Sequence, residues 1–392
     1  MIGKEMRLNE PQTKTMKKTL ALFLSCVMML SFAMGAMAQT SGVVKIAVAA
    51  PMTGDNAEYG TGFYNAAMMA AEEVNAVGGL QVGGKTYTVE VLKFDDKSDS
   101  DEAQIVAEKI VSDPDIIGVI GHFSSGICMV AAPTYNESKY VEISPTASHP
   151  DYSAIGDYIF RNNTVITVET RTGAEIAVND LGASKVGVLS IDTEWGVSAG
   201  NAMEAHIKDM GKEVALRQQV GVDQVDFATE IANFKAAGAQ VVMVAGMYGT
   251  LAPFAVARDN SGFDVPLVGC SNAYTASLIE IAGKSAEGIY APVSFFAGSP
   301  DPRVQTYVAK YKGLYGSAPS ALTTQAYDSA FILMDAVTRA GSFDREAIKD
   351  AMYATAFEGL SGYTTFNEIG DAQKVFTKIM VADGAFVPAV FK

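Results

Sequence analysis

The segment DIIGVIGHFSSGICMVAAPTYNES, residues 115–138, contains one complete strand–loop–helix unit. Its first seven residues form a largely apolar run of strand length, and the residues from Ser124 onward place apolar side chains at helical spacing. The polar loop between them, His122–Gly126, follows the carboxyl end of the predicted strand. A buried strand that leads directly into a helix is typical of parallel sheets covered by helices on both faces.

Strands and helices alternate in the same way along two stretches of the chain. The first stretch runs from VVKIAVAAP at 43–51 to YVEISPTAS at 140–148, and the second runs from KVGVLSID at 185–192 to GIYAPVSFF at 288–296. The C-terminal residues that remain contain three predicted helices and a few short strands, too little for a third domain. The sequence therefore predicts two doubly wound α/β lobes with parallel sheets, which the C-terminal segments complete.

The composition is that of a globular α/β protein with a strong negative charge. Hydrophobic residues make up 49% and charged residues 19% of the 392 positions. Residues 1–38 carry a net charge of +3, so the rest of the chain carries −18 within the total of −15. A surface this negative repels nucleic acid and anionic membranes, and we expect no partner of either kind.

The first 38 residues have the design of a secretory signal peptide. Met16-Lys17-Lys18 is a short positive region, Leu20–Phe32 is apolar, and Ala36-Met37-Ala38 suits signal peptidase. We expect cleavage after Ala38 and export, with Met16 as a possible alternative start of translation. An uncleaved membrane anchor is the other interpretation, although the apolar run is short for a membrane span.

Two segments match catalytic motifs in the wrong structural context. Residues 79–86 fit the nucleotide-binding pattern G-x-x-x-x-G-K-T, yet a helix is predicted before the glycines and a strand after Lys85, the reverse of what a phosphate site needs. Residues 196–200 fit the hydrolase pattern G-x-S-x-G, but Ser198 falls within a predicted helix. His206, two turns further along that helix, cannot reach back as a base. We therefore expect no enzyme.

The metal-ligating residue types show no pattern of a metal site. The chain has three histidines without the spacing of metal ligands, and we expect neither a metal nor a cofactor. His122 and His149 are predicted to pack near strand ends rather than to bind a ligand. Cys128 and Cys270 fall on different predicted lobes, so we expect both to be free, buried thiols.

Polar and aromatic residues gather in the loops that follow the predicted strands, where open α/β sheets bind ligands. Ser124 and Ser125 open a helix whose hydroxyls and free amide groups suit a carboxylate, although either serine could simply cap the helix. The other strand-end loops contribute Tyr59, Thr146, Ala147, Ser148, Trp195, Met247, Tyr248, Ser271 and Asn272. Together these residues favour a small-molecule cleft between the lobes.

The order and spacing of several motifs resemble those of the type I periplasmic solute-binding proteins, of the branched-chain amino-acid (leucine/isoleucine/valine) binding kind. The resemblance covers residues 43–391. It rests on PMTGDNAEYG at 51–60, VNAVGG at 74–79, FDD at 94–96, VIGHFSS at 119–125, ISPTAS at 143–148, FR at 160–161 and AGKSAEG at 282–288.

The resemblance implies the type I periplasmic binding protein fold, in which two lobes are joined by three hinge crossings. These crossings would divide the chain into lobe 1, residues 43–163 plus 294–378, and lobe 2, residues 164–293 plus 379–392. The resemblance also implies a monomer in the periplasm. It would capture a small organic ligand by hinge closure and deliver it to the permease subunits of an ABC importer.

The same resemblance assigns roles to the strand-end residues. Ser125 and the loop Thr146–Ser148 would hold the α-carboxylate of the ligand. Trp195 and Tyr59 would cover the ligand from the opposite lobe and the first loop. Either Met247 or Tyr248 would form a further wall, a choice that depends on a one-residue register.

At one position the chain departs from that family. Its amino-acid binders place an acidic residue just after the strand that VPLVGC matches, and this chain has Cys270-Ser271-Asn272-Ala273 there. An ammonium group in a closed cleft without a counter-charge is costly. Either Asp192 or Glu194 supplies that charge, or the ligand is an aromatic or short-chain carboxylate without an amino group. An aliphatic amino acid is the first prediction.

Overall fold

The computed structural model describes residues 40–391. The predicted signal peptide therefore lies outside the described residues. Two large sheets form the cores of two lobes, and in each sheet five adjacent strands pair in parallel. This is the doubly wound, two-lobed α/β architecture that the alternating pattern predicts.

The first lobe is built on a six-stranded sheet in the order β2-β3-β1-β4-β5-β6. Its strands are β1 (Gly42–Ala50), β2 (Leu80–Val82), β3 (Lys85–Asp95), β4 (Ile116–Gly121), β5 (Glu142–Ser144) and β6 (Ile159–Arg161). The helices that connect them are α1 (Ala57–Ala76), α2 (Ser100–Val111) and α3 (Ser125–Glu137). All six residues of β4 are buried, as expected for a strand covered on both faces.

The second lobe repeats this winding. Its strands are β7 (Lys185–Ile191), β8 (Glu213–Val220), β9 (Val241–Ala245), β10 (Leu267–Val268) and β11 (Ile289–Val293). Its helices are α4 (Ile166–Glu175), α5 (Glu194–Asp209), α6 (Ala228–Ala236), α7 (Tyr248–Asn260) and α8 (Ala276–Ala282). A π-helical turn, Ile176–Asp180, continues α4. The strands lie in the order β8-β7-β9-β10-β11, which matches β3-β1-β4-β5-β6 of the first lobe.

The C-terminal segment completes both lobes. Helices α9 (Pro302–Tyr315) and α10 (Ala321–Ala340) return to the first lobe, where α10 packs against α1 and against strands β2, β4 and β5. Helix α11 (Arg345–Tyr353) and the hairpin of β12 (Phe357–Gly359) and β13 (Gly362–Thr364) follow. Strands β14 (Thr377–Ala382) and β15 (Ala385–Pro388) then extend the second sheet beyond β11. The chain thus crosses between the lobes three times; the residue boundaries given above stay predictions.

The glycine-rich segment at 78–86 is a turn and hairpin rather than a phosphate loop. Helix α1 ends at Ala76, and Gly79 has a φ of 100° at a point where a Cβ would lie 2.5 Å from a backbone oxygen. Gly83 and Gly84, with φ of 56° and 77°, form the two-residue loop between β2 and β3. The sequence predicts a turn directly into β3 and misses β2, because a three-residue strand is too short to show a period.

One further expectation is met. Cys128 and Cys270 are both free and buried, one in α3 and the other beside β10. Between residues 40 and 391, no helix combines the length and the apolar character that a membrane crossing requires.

Candidate functional site

The two lobes line a small cavity at the carboxyl ends of their parallel strands. This is where doubly wound sheets form a crevice, because neighbouring connections leave on opposite faces there. The cavity is lined by Phe123, Ser124, Ser125, Thr146, Ser148, Asn163, Glu169, Trp195, Met247, Ser271, Asn272 and Leu322. Both lobes contribute, so the cavity exists only when the lobes are together.

Ser125 begins helix α3 at the first-lobe end of the cavity. Its Oγ accepts hydrogen bonds from the backbone amides of Ser148 and His149, each at 3.2 Å. Because a hydroxyl has two lone pairs and one hydrogen, Ser125 can act toward a ligand only as a donor. That polarity suits a carboxylate.

The N-terminus of α3 adds further donors beside Ser125. Ser124 is the N-cap residue, yet its side chain accepts no capping hydrogen bond from the helix. The amide groups in the first turn of a helix have no intrahelical acceptor, and the helix dipole favours an anion there. Of the two interpretations of this motif, the structure disfavours plain capping by Ser124.

Thr146 and Ser148 follow β5 and have opposite polarities. The Thr146 hydroxyl donates to the carbonyl of Phe123 at 2.6 Å, so it can only accept from a ligand. Ser148 Oγ accepts from Trp195 Nε1 at 3.1 Å and keeps its own hydrogen for another acceptor. Ala147, between them, is fully buried and is not among the residues that line the cavity.

Arg161 supports the loop after β5 by donating hydrogen bonds to its backbone carbonyls. Its guanidinium is fully buried, pairs with Asp371, and donates to the carbonyl of His149 at 2.7 Å. Asn163 Nδ2 donates to the carbonyl of Thr146 at 3.0 Å. The sequence motif Phe160-Arg161 gave no hint of this supporting role, because the partners are remote in sequence.

Glu169 forms the second-lobe end of the cavity and is the residue that sequence reasoning missed. It lies in α4, is 3% exposed, and accepts a hydrogen bond from the backbone amide of Ser271. Burial raises the pKa of the Glu169 carboxyl to about 7, while hydrogen bonds from Ser271 and Cys270 act in the opposite direction. Neither Asp192 nor Glu194 lines the cavity, and both are exposed.

Asn272 lies next to Ser271 on the same wall. Its Nδ2 contacts the Met247 sulfur at 2.9 Å, whereas its buried Oδ1 has no hydrogen-bond partner within the described part of the chain. A buried carbonyl oxygen without a donor is unusual and costs free energy. The acceptor surface at this end is therefore larger than the carboxyl of Glu169 alone.

The aromatic residues divide between lining the cavity and joining the lobes. Trp195 does both, since its ring lines the cavity while Nε1 bonds Ser148 across the cleft. The ring of Tyr59 stacks on that of Phe123 with 4.4 Å between the ring centroids, and the Tyr59 hydroxyl donates to the carbonyl of Asn272 at 3.0 Å. Tyr59 is not among the lining residues.

Met247 and Tyr248 occupy different depths. Met247 lines the inner cavity, whereas Tyr248 borders the wider cleft outside it and donates to the carbonyl of Asp55 at 2.7 Å. The register that the sequence left open is thus read from the structure: Met247 faces the cavity and Tyr248 bridges the lobes at its mouth.

The catalytic motifs lie away from this cavity. Ser198 is inside α5, and Lys85 is exposed at the start of β3. His122 does not line the cavity; it is fully buried, with Nδ1 at 2.6 Å from Asp96 and Nε2 at 3.1 Å from Tyr135. Over residues 40–391, no group of three or more acidic, His or Cys side chains is arranged to hold a metal ion.

Comparison with known proteins decides the family. A family model described as periplasmic binding protein matches residues 43–382. The chain belongs to this family. It is 26% identical to the leucine-, isoleucine-, valine-, threonine- and alanine-binding protein of Pseudomonas aeruginosa, over 84% of this chain and 87% of that protein. The branched-chain resemblance of the sequence is thereby confirmed.

Solved structures agree on the fold. The leucine-binding protein LivK of Thermotoga maritima is 26% identical with a TM-score of 0.82, over 89% of this chain and 98% of that one. A solute-binding protein of Rhodopseudomonas palustris, solved with 3,4-dihydroxybenzoic acid, is 22% identical with a TM-score of 0.79, over 88% of this chain and 95% of that one. The second likeness concerns the fold alone.

Proposed function

We propose that this protein captures a small aliphatic amino acid between its lobes in the periplasm and delivers it to the permease of an ABC importer. The observation that carries the proposal is the donor end of the cavity, where Ser125 can only donate and the N-terminus of α3 points at the same space. An α-carboxylate fits that end. The relatives that bind leucine and related amino acids support the same ligand class.

The remaining walls suit an aliphatic side chain. Phe123, Met247 and Leu322 line the cavity together with the ring of Trp195. Burying apolar ligand atoms against such walls stabilises the complex by roughly 25 cal/mol for each Å² removed from water. A short hydrocarbon side chain therefore gains affinity without needing a polar partner.

Capture, in this proposal, is a conformational equilibrium rather than a reaction. The ligand contacts Ser125 on one lobe and the wall of Ser271 on the other, so it binds the closed state better than the open state. The lobes then stay together while the ligand is bound. The permease would recognise the surface that closure creates, and the protein would work as a monomer without making or breaking a bond.

A receptor for carboxylates without an amino group is the second candidate. The flat indole of Trp195 on the cavity wall favours it, since an aromatic acid can stack there. In this reading the Glu169 carboxyl would stay protonated beside an uncharged part of the ligand.

A matched pair of ligands separates the two candidates. L-leucine and 4-methylpentanoate share the carboxylate and the hydrocarbon chain and differ in the amino group. We expect L-leucine, or another aliphatic amino acid, to raise the melting temperature of the mature protein and the corresponding acid to raise it far less. A shift by 4-methylpentanoate or benzoate alone would transfer the proposal to the second candidate.

A further inference from the structure

We propose that Glu169 binds the ammonium group of the ligand, and that ligand binding releases a proton from this side chain to solvent. The inference rests on the function proposed above and names the residue that selects for an amino group. The acid comes from the first helix of the second lobe rather than from the loop after β10.

Three acceptors belong to residues that line the cavity, two of them on the second lobe and one on the first. The carboxyl of Glu169 lines the cavity, the buried Oδ1 of Asn272 has no partner among residues 40–391, and the Thr146 hydroxyl can only accept. An ammonium group has three N–H donors and no acceptor, so it complements this set. The donor end at Ser125 lies on the first lobe, which gives the cavity the polarity of an amino acid.

Among the described residues, no cationic side chain of the cavity wall competes with a ligand ammonium group for Glu169. Within the described residues, the cavity wall includes no Lys, Arg or His. The titratable group that touches Glu169 is the buried thiol of Cys270. His206 of α5 contacts the carbonyl of Thr167 on α4, the helix that carries Glu169. The ion pair Arg171–Glu175 lies exposed further along α4.

The proton balance follows from this environment. Without a ligand, burial keeps the pKa of Glu169 near 7, so a large fraction of the side chain is a neutral acid in neutral solution. An ammonium group in contact stabilises the carboxylate and lowers that pKa. The neutral acid and the cationic ligand therefore give an ion pair, and one proton leaves for solvent.

Affinity must then depend on pH. Below about pH 7, the proton competes with the ammonium group, and the dissociation constant for L-leucine should rise up to tenfold for each pH unit. Above pH 8 the carboxylate is already formed, and the affinity should level off. For a ligand without an amino group, acidification should not weaken binding in this way.

Titration calorimetry tests the proposal directly. L-leucine is titrated at pH 6 and at pH 8.5, each in two buffers with different ionisation enthalpies, so that the number of released protons is measured. We expect close to one proton at pH 6 and close to none at pH 8.5. Glu169→Gln should weaken L-leucine binding at least tenfold at pH 8.5 and abolish both the proton release and the pH slope.

Glu175→Gln is the matched control, because it changes an exposed carboxylate on the same helix. It should keep the affinity, proton count and pH slope of the unmodified protein. Circular dichroism at both pH values verifies that each variant is folded. Should Glu169→Gln bind L-leucine as tightly as the unmodified protein, or should no proton be released at pH 6, the inference is overturned while the proposed function stands. If the unmodified protein binds no aliphatic amino acid at either pH, the proposed function itself fails.

Discussion

The two ends of the cavity differ in how their polar atoms are satisfied. At the first-lobe end, Ser125 and Thr146 are each fixed by hydrogen bonds within that lobe. At the second-lobe end, Glu169 is a buried acid without a cation, and Asn272 Oδ1 has no partner in the described chain. The polar atoms of the first end already have their partners, whereas those of the second end gain a partner only when a ligand binds.

This difference indicates an order of events. A pre-organised end binds without paying further ordering entropy, so the first lobe can hold the carboxylate while the cleft is open. The second lobe buries polar groups that cost free energy until a donor arrives. A ligand that satisfies Glu169 and Asn272 therefore favours closure, and one that leaves them unpaired does not.

The largest effect on binding is expected at the donor end. Ser125→Ala removes the hydroxyl that faces the carboxylate and leaves the amides of Ser148 and His149 without their acceptor. A hydrogen bond to a charged group contributes about 1.5–3 kcal/mol, so L-leucine should bind about 10- to 150-fold more weakly. Calorimetry measures this. Ser198→Ala, inside α5, is the control and should bind as the unmodified protein does; the reverse pattern would contradict the binding-protein interpretation.

At the acceptor end, Glu169 should affect the free energy of unfolding of the ligand-free protein. The pKa of Glu169 is about 7 when folded and near 4.5 when unfolded, so the folded state holds more protons between these values. This group therefore destabilises the folded protein at pH 8, and the penalty shrinks as the pH falls below 7 and disappears below the unfolded pKa of 4.5. Glu169→Gln should raise the free energy of unfolding at pH 8 by at most about 3 kcal/mol and by less than about 1 kcal/mol at pH 5. Urea denaturation at both pH values checks the difference; equal effects would show that Glu169 is not a strained acid.

The contact between the lobes should matter less than either end. Tyr59→Phe keeps the ring stacked on Phe123 but removes the hydrogen bond to the carbonyl of Asn272. A neutral hydrogen bond contributes about 0.5–1.5 kcal/mol, so affinity should fall roughly 2- to 10-fold through a faster release of ligand. The control is Tyr158→Phe, whose hydroxyl bonds Glu346 within the first lobe. If both variants release ligand equally fast, closure does not depend on Tyr59.

The smallest effect is expected at the glycine-rich hairpin, outside both ends. Lys85→Ala changes an exposed side chain at the start of β3. Affinity for L-leucine should be unchanged, and stability should move by less than about 0.5 kcal/mol. Binding of ATP that disappears in this variant would restore the nucleotide interpretation of the motif.

Much of the fold was predictable because its signals are local. Apolar runs of strand length, helical periodicity and glycine punctuation identify β4, α3 and most of their counterparts without any tertiary information. The short strands β2 and β12 were missed, since three residues carry too little pattern. Their pairing depends on a partner strand rather than on their own composition.

The candidate site was predictable only in part. Ser125, Thr146, Ser148, Trp195 and Ser271 follow strands, and the carboxyl ends of parallel strands converge at one edge of a sheet. Glu169 gave no such signal because it lies in the first turns of a helix, where an acidic residue is ordinarily solvated. Its contact with Ser271 joins residues 102 positions apart.

The sequence by itself determined the two wound lobes, the loops that face the cleft and the family, because these depend on periodicity and on motifs that adjacent residues spell out. The tertiary structure alone decided which polar atoms face the cavity and which are already satisfied. That outcome depends on the packing of α4 against the loop after β10 and on the contacts of Trp195 and Tyr59 across the cleft. Hydrogen-bond polarity and burial belong to the assembled site, and no single segment of the chain carries them.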